Sequence, residues 1–481
     1  RLDSEHTQVT AQLAQKANLS DLPLYNPEWF GIKADGEDYA QELKELFEGG
    51  NKYIDFSLLG EGEIYVSKTI YLESNTVVTG SNKIRFTQDD GYPIFETKDY
   101  LNTQQENIVL ENIVFDGKGD YYSSGINTSG INIVNAKNVT IRNITMKDYA
   151  GELPNHEGDK ISPFNVNYCD GVLVEDCHLE YIGFRGISMF NTRNAIIRGN
   201  RVIGSHNTGI QFRGDWELIS ELPEGIAENI YVYNNIVENT MSYNLASDGA
   251  IDCYRGGRNI VVRDNIVTNF GMTDPVTSEY RGSGIRISDA SNSVVVNNII
   301  KTSQKALNGI SLTDRPNKDM VNVICTGNYV EIGDECATGI RVWGDAQRER
   351  FTITDNIVVG LEDSSFTEGL IGVNADNSNV QNNTLEKLGA TTAGIRVRFN
   401  RRGLNISNNT LINSNIRIDV PSIIDSIISN NIINGNGVWL TGAKNVTISN
   451  NIIGDEETTN NRGIEFEGVN SNITSNMIKN L

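Results

Sequence analysis

Histidine, proline and cysteine are all scarce in this 481-residue chain, with four, nine and five copies respectively. The histidines (His6, His156, His178 and His206) stand at no zinc-ligand spacing, which argues against a transition-metal site. The cysteines (Cys169, Cys177, Cys253, Cys325 and Cys336) are odd in number and form no C-x-x-C pair, which argues against a disulfide framework. Most lie in alternating apolar runs and read as buried thiols. No apolar stretch approaches membrane-spanning length and no secretory leader is visible, so membrane insertion is not expected. The chain opens on Arg1, from which we expect that the natural start has been removed. Positive charge is also short: 40 Lys and Arg against 62 Asp and Glu leave a net charge of -22. That balance excludes nucleic acid and an anionic membrane surface as general partners, while leaving room for a local basic groove.

What the chain has in abundance is repetition. Ile230-Tyr-Val-Tyr-Asn-Asn235-Ile-Val, Arg258-Asn-Ile-Val-Val-Arg-Asp-Asn265-Ile-Val and Val446-Thr-Ile-Ser-Asn-Asn451-Ile-Ile are versions of one segment. The recurring Asn falls at 200, 235, 265, 298, 328, 356, 383, 409, 431, 451 and 476. A period in the twenties to thirties is the mark of a solenoid. Each copy holds two short β-branched runs of period two around a polar turn, and a third run opens on Gly-Ile, as at Gly186, Gly209, Gly284, Gly309, Gly339, Gly394 and Gly463. Three strands per coil predict a right-handed, single-stranded parallel β-helix in an all-β fold. Solenoids escape the size limit of a single core, so one long β-helical domain is expected over residues 53–481. The repeated Asn is read as a stacked ladder that stabilises a turn where left-handed backbone is tolerated, not as chemistry. Sequons such as Asn138-Val-Thr and Asn445-Val-Thr are products of the same repeat.

Residues 1–28 are expected to be a helical lead-in. Leu2, Val9 and Leu13 share one face, a helix this short needs partners, and Leu22-Pro-Leu-Tyr-Asn-Pro ends it. Residues 29–52 contain an amphipathic helix from Tyr39 to Phe47, placed to cap the open edge of the first coil. Phe30-Gly-Ile-Lys-Ala-Asp-Gly-Glu-Asp, that helix, and Gly62-Glu-Ile-Tyr-Val-Ser-Lys-Thr-Ile-Tyr-Leu resemble the start of the pectate-lyase-like β-helix superfamily of phage tailspikes and pre-neck appendage proteins. Leu2-Asp-Ser-Glu-His-Thr-Gln-Val-Thr-Ala-Gln-Leu resembles the helical lead-in of such proteins from phages and prophages of Gram-positive bacteria. The resemblance spans nearly the whole chain as a fold. It implies a homotrimer joined to other components of a virion tail, acting outside the cell, and it is weak on substrate because the superfamily hosts lyases, hydrolases and non-enzymes. The Asp-Asp strand pair of the related polygalacturonases is missing, since the only Asp-Asp here is Asp89-Asp90.

In the Gly-Ile strands the Ile and the residue two beyond it should face the core, leaving the residues between them to face solvent. With Ile187, Ile210, Ile251, Ile285, Ile310 and Ile340 aligned, one outward column reads Ser188, Gln211, Asp252, Arg286, Ser311, Arg341. The next reads Phe190, Arg213, Tyr254, Ser288, Thr313, Trp343. The longest insertions flank these strands, and the expected site runs from Asp159 to Trp343, centred on Asp252. Asp248 and Asp252, four apart on one strand, are the preferred catalytic pair, with Asp215, Glu217 and Glu279 as the next carboxylates. Arg185, Arg213, Arg255, Arg281 and Arg286, with His206, are the expected substrate-binding cations, and Tyr254, Trp343 and Phe190 are sugar platforms. A solvated salt-bridge network is the alternative reading of the same charges.

Clustered arginine on an acidic background predicts a polyanionic ligand. The expected function is a virion-associated depolymerase that cleaves wall teichoic acid or an acidic polysaccharide, by hydrolysis in preference to elimination. In an elimination Arg213, Arg255 or His206 would take the proton. The alternatives are a uronate polysaccharide lyase and a receptor-binding appendage without turnover. No cofactor and no metal are expected.

Overall fold

The repeating asparagines are the points at which each coil is fastened to the next. This computed structural model describes residues 21–88, 93–117, 130–149, 162–214, 222, 225–240, 249–273, 280–313, 320–333, 336–343, 348–361, 369–389, 392–419, 423–435, 437–454 and 463–479. Short strands recur three to a coil and pair in parallel with the equivalent strand one coil away, giving three sheets, here A, B and C. The architecture is a right-handed parallel β-helix. The strand pair Met272–Thr273 with Tyr280–Arg281 is antiparallel and stands outside the three sheets.

The chain packs as two units, Arg1–Asn244 with Ile251–Asn259, and Leu245–Ala250 with Ile260–Leu481. In the first unit the α-helix Ala40–Phe47 buries Leu43, Leu46 and Phe47. Phe47 packs on Phe56 and Phe95 at ring-centroid distances of 6.5 and 5.6 Å, and Phe86 and Phe115 extend that aromatic stack inside the coil. Strand pairing is already present ahead of Tyr53, because Leu24 and Tyr25 pair with Tyr53 and Ile54. Residues 1–20 of the expected lead-in lie outside the described residues.

The second unit shows the ladder without a break from Asn265 to Asn476. The Asn298 Oδ1 accepts from the backbone N–H of Asn265 at 3.0 Å and from its Nδ2 at 2.9 Å. The Asn298 Nδ2 in turn donates to the carbonyls of Val262 and Val296 and to the Oδ1 of Asn328. The same pattern continues through Asn356, Asn383, Asn409, Asn431 and Asn451. In the first unit Asn200 and Asn235 are joined in the same way.

The left-handed residue is not the ladder Asn but the one before it: Gly199, Asn234, Asp264, Asn297, Gly327, Asp355, Asn382, Asn408, Asn430, Asn450 and Ser475 all have positive φ. The reason is that the ladder side chain must point into the core, so the reversal of the chain falls on its neighbour. A second left-handed set precedes the first by five residues, at Asn194, Asn229, Asn259, Asn292 and Asn322 among others, and turns the chain into sheet A. Its amides also stack, as in Asn259 to Asn229 at 2.9 Å and Asn229 to Asn194 at 2.9 Å.

All five cysteines are buried free thiols. Burial pushes Cys169, Cys177, Cys325 and Cys336 up to about 12, so these thiols are inert packing groups. Replacing Asn265 by Ala should lower stability by about 1 to 3 kcal/mol, the cost of orphaning buried polar partners. Asn298→Ala should cost at least as much, since its oxygen serves two donors. Equilibrium denaturation measures both, and near-neutral effects at the two positions would remove the ladder as a source of stability.

Candidate functional site

The Gly-Ile strands form sheet C, and a glycine opens them because neighbouring coils leave no room for more. A Cβ on Gly309 would lie 2.4 Å from Val330 Cγ1 and 2.6 Å from the Gly339 carbonyl. The registers agree with the alignment read from sequence. Ser188 pairs with Gln211 and Gln211 with Asp252, while Phe190 pairs with Arg213 and Arg213 with Tyr254. In the second unit Arg286, Ser311 and Arg341 align, as do Ser288, Thr313 and Trp343. The inward positions Ile187, Met189, Ile210, Phe212, Ile251 and Cys253 are fully buried.

The first outward column does not face solvent as expected. Ser188, Gln211, Asp252, Arg286 and Ser311 are all buried, with Asp252 at 0% exposure. Its Oδ2 accepts from Gln211 Nε2 at 2.7 Å, a bond between consecutive coils. Beside it, guanidinium groups pack over aromatic rings. Arg185 sits 4.1 Å from the Phe184 ring centroid and 5.4 Å from that of Phe190. Arg213 lies 5.7 Å from Phe190 and 4.6 Å from Tyr254, and Arg255 lies 4.9 Å from Tyr254. Three arginines and three rings therefore alternate across consecutive coils of the first unit. Packing of this kind holds a weakly hydrated cation in place against the ring face.

Electrostatics single out Arg213. Burial, and then the like charge of Arg255, push its guanidinium down to about 9, and Arg185 adds to the repulsion. The group stays charged at neutral pH, but in a setting that an incoming anion would relieve. Arg255 sits at φ 61°, a left-handed conformation uncommon for a residue other than Gly, Asn or Asp. His206 is buried, and burial pushes it down to about 4.

Of the other expected residues, Asp159, Asp215, Glu217, Asp248 and Glu279 lie outside the described residues, as does the side chain of Arg281. Arg286 and Trp343 belong to the second unit, where the sequence reading missed a related arrangement. Arg341 stacks 4.3 Å from Trp343, which meets Phe399 edge-on at 5.0 Å, and Arg401 lies 6.0 Å from Phe399. Arg396 and Arg417, paired in register, converge on Asp419, and Arg417 stacks 4.8 Å from Trp439. Burial alone would raise the Asp419 carboxyl, but hydrogen bonds from Arg417 and Arg396 hold it below its usual range. The signal was present in Gly394-Ile-Arg-Val-Arg, whose outward Arg396 continues the column beyond Arg341 through Gly372. Among the described residues no three His, Cys, Asp or Glu side chains gather closely enough to hold a metal ion. No described helix is long and apolar enough to cross a membrane.

A family model for the right handed beta helix region matches residues 123–278. Similar solved structures include the Streptococcus pneumoniae surface protein and adhesin PfbA, at 14% identity and a TM-score of 0.40 over 95% of this chain and 100% of that one. The Dettilon tailspike protein is 14% identical at a TM-score of 0.49, covering 83% of this chain and 69% of that chain. The pre-mature bacteriophage phi29 gene product 12 is 15% identical at a TM-score of 0.50, covering 95% of this chain and 57% of its own. No curated protein matches. At these identities the likeness is one of fold, and the class it defines is the right-handed parallel β-helix protein.

The depressed His206 fixes the sign of one pH effect. Its folded-state value lies below its ordinary value of 6.5, so the unfolded chain takes up the proton first. Stability should be constant above about pH 6.5, fall between 6.5 and about 4, and lose no more from this group below that. The total is on the order of 3 kcal/mol. Urea denaturation across that range should show a shallower decline in His206→Gln than in the native chain.

Proposed function

We propose that this chain binds an acidic polymer of the bacterial cell surface, wall teichoic acid or an acidic polysaccharide, and cleaves it as part of a phage virion tail. The observation that carries the binding is the alternation of Arg185, Arg213 and Arg255 with Phe184, Phe190 and Tyr254. Rings offer faces to sugars, and guanidinium forks match carboxylate or phosphate. A net charge of -22 makes such a cationic face an exception that needs an anionic ligand to explain it.

Cleavage rests on Asp252, a carboxylate buried in the column beside Arg213 and Tyr254. Glycosidic hydrolysis needs a second carboxylate within roughly 5–9.5 Å, and Asp248, Asp215, Glu217 and Glu279 are the candidates. A receptor-binding appendage without turnover is the second reading, favoured by the engagement of Asp252 with the Gln211 amide.

Purified teichoic acids and acidic polysaccharides should bind the native chain, with reducing ends appearing on hydrolysis or unsaturated-uronide absorbance on elimination. Arg255→Ala should weaken binding about tenfold and flatten its salt dependence. Asp252→Asn should abolish turnover and keep binding, since amide replaces carboxylate at equal size. Full activity in both variants would move the site elsewhere, and binding without any turnover in the native chain would leave the second reading.

A homotrimer is part of this proposal. In the second unit the outward column of sheet B carries a stripe of Ile266, Ile299, Ile357, Ile432 and Met477, exposed by 38 to 55% and aligned with Tyr329, Thr384, Thr410 and Ile452 between them. An apolar stripe of this length, interrupted only by Thr384 and Thr410, is what a second copy would cover. Light scattering of the full chain should give three times the chain mass at micromolar concentration, and Ile299→Lys with Ile357→Lys should reduce it. A monomer would refute the assembly.

A further inference from the structure

The first unit has a second recess, adjoining the ends of the arginine-stacked strands, at the corner where the chain leaves sheet C for sheet A. Gln104, Asn135, Tyr168, Asn191, Arg193, Leu222, Gly225 and Ile226 line a cleft of about 330 Å³. That is the lower end of the range for small-molecule sites, with space for roughly one or two sugar rings.

Two features of this corner are not required by the fold. Asn135, Tyr168 and Asn191 have φ of 52°, 55° and 53° on consecutive coils. Their backbone N–H groups donate to the carbonyls of Asn167, Phe190 and Arg213, so the three residues occupy one equivalent slot. Asn fits a left-handed slot at little cost, whereas a tyrosine there costs on the order of 1 kcal/mol. The coil on either side uses Asn, so nothing in the turn calls for a ring. Tyr168 is half-buried and lines the cleft together with the apolar Leu222 and Ile226.

The second feature is Arg193. Arginines along sheet A of this unit are neutralised by the neighbouring coil: Arg142 by Glu111, Arg198 by Glu175 and Arg258 by Glu228. Arg193 stands in register between Asp170 and Glu228. Yet Asp170 accepts from the Asn194 amide at 2.6 Å, and Glu228 is held by Arg258 at 2.5 Å. Among the described residues the exposed Arg193 guanidinium makes no ion pair and no side-chain hydrogen bond. In a chain of net charge -22, a cation left open beside two carboxylates that bind other groups marks a place for a ligand's negative charge.

We infer that this corner cleft is a separate binding site for an acidic sugar unit, whose ring face packs on Tyr168 and whose carboxylate meets Arg193. Gln104, whose amide donates to Asn135 Oδ1 at 3.2 Å, and the buried Asn191 complete the polar part of the lining. The ligand class follows from the cleft; that it is a further stretch of the polymer held on sheet C rests on the reading proposed above.

Two substitutions separate binding from folding. Arg193→Ala removes the cation, and Tyr168→Asn places in the left-handed slot the residue that the adjacent coils use, with the unfolding midpoint of each variant measured beside its affinity so that lost binding is read only from folded protein. The full chain would be tested against immobilised oligogalacturonates, oligoguluronates and sialyl-oligosaccharides, with neutral oligosaccharides of matched length and glycerol-phosphate oligomers as comparators. We expect capture of carboxylated oligosaccharides and a loss of tenfold or more in affinity in each variant. Native affinity in both variants, no capture of any carboxylated oligosaccharide, or equal capture of neutral ones would each overturn the inference. Stronger retention of the glycerol-phosphate oligomers would overturn the carboxylate assignment. Arg213→Ala serves as the control. Loss in that variant alone rejects the cleft and keeps the sheet C face, whereas loss in Arg193→Ala alone does the reverse.

Discussion

Every coil has to return its backbone to the same place, and one side-chain contact enforces this. The ladder amide accepts from the main chain and side chain of one coil while donating to main-chain carbonyls and to the next coil's amide. A buried amide with all of these partners is stable, but stripped of either neighbour it would leave polar groups unsatisfied in an apolar core. The ladder therefore locks the rise from coil to coil. That lock is what makes outward residues on sheet C stack in columns, so the rings and guanidinium groups owe their regular spacing to contacts made in a different corner of the coil.

The repeat was legible because its signals are local. Alternation identifies strands, and Gly-Ile marks positions where a Cβ would strike the next coil, as at Gly309. The placement of the left-handed residue was legible too, though in a subtler form. The position before the ladder varies among Gly199, Asn234, Asp264, Gly327, Asp355 and Ser475, whereas the ladder position is Asn throughout. Small and Asx residues are what a left-handed turn accepts, and an invariant amide is what a hydrogen-bonded stack needs.

Burial of Asp252 was not legible. Alternation tells inside from outside only when the outer face of a sheet is wet, and strands covered on both sides read differently. Here the inner face is apolar while the outer one is polar and covered, a combination that strand periodicity does not encode. The continuation of the arginine pattern to Arg396, Arg401 and Arg417 was hidden for another reason. Gly372 interrupts the column between Arg341 and Arg396, so following side chains residue by residue suggests an end where the coil registers continue.

The charge distribution sets the terms on which any polyanion can approach. A body carrying -22 repels an acidic polymer at long range, while the proposed function has its stacked arginines attract one at contact. Salt screens both, but not equally, because the repulsion acts through solvent over many ångströms while the contact occurs at half-buried groups. Packing guanidinium groups on rings keeps them weakly hydrated, so less water has to be displaced when a carboxylate or phosphate arrives. Repulsion at a distance and attraction at the surface favour ligands that present many charges along a chain, since one engaged unit holds its neighbours near the next arginine. A short monovalent anion gains little from the same arrangement, so under the function proposed above the arginine rows would select polymers over the small anions of the surrounding medium.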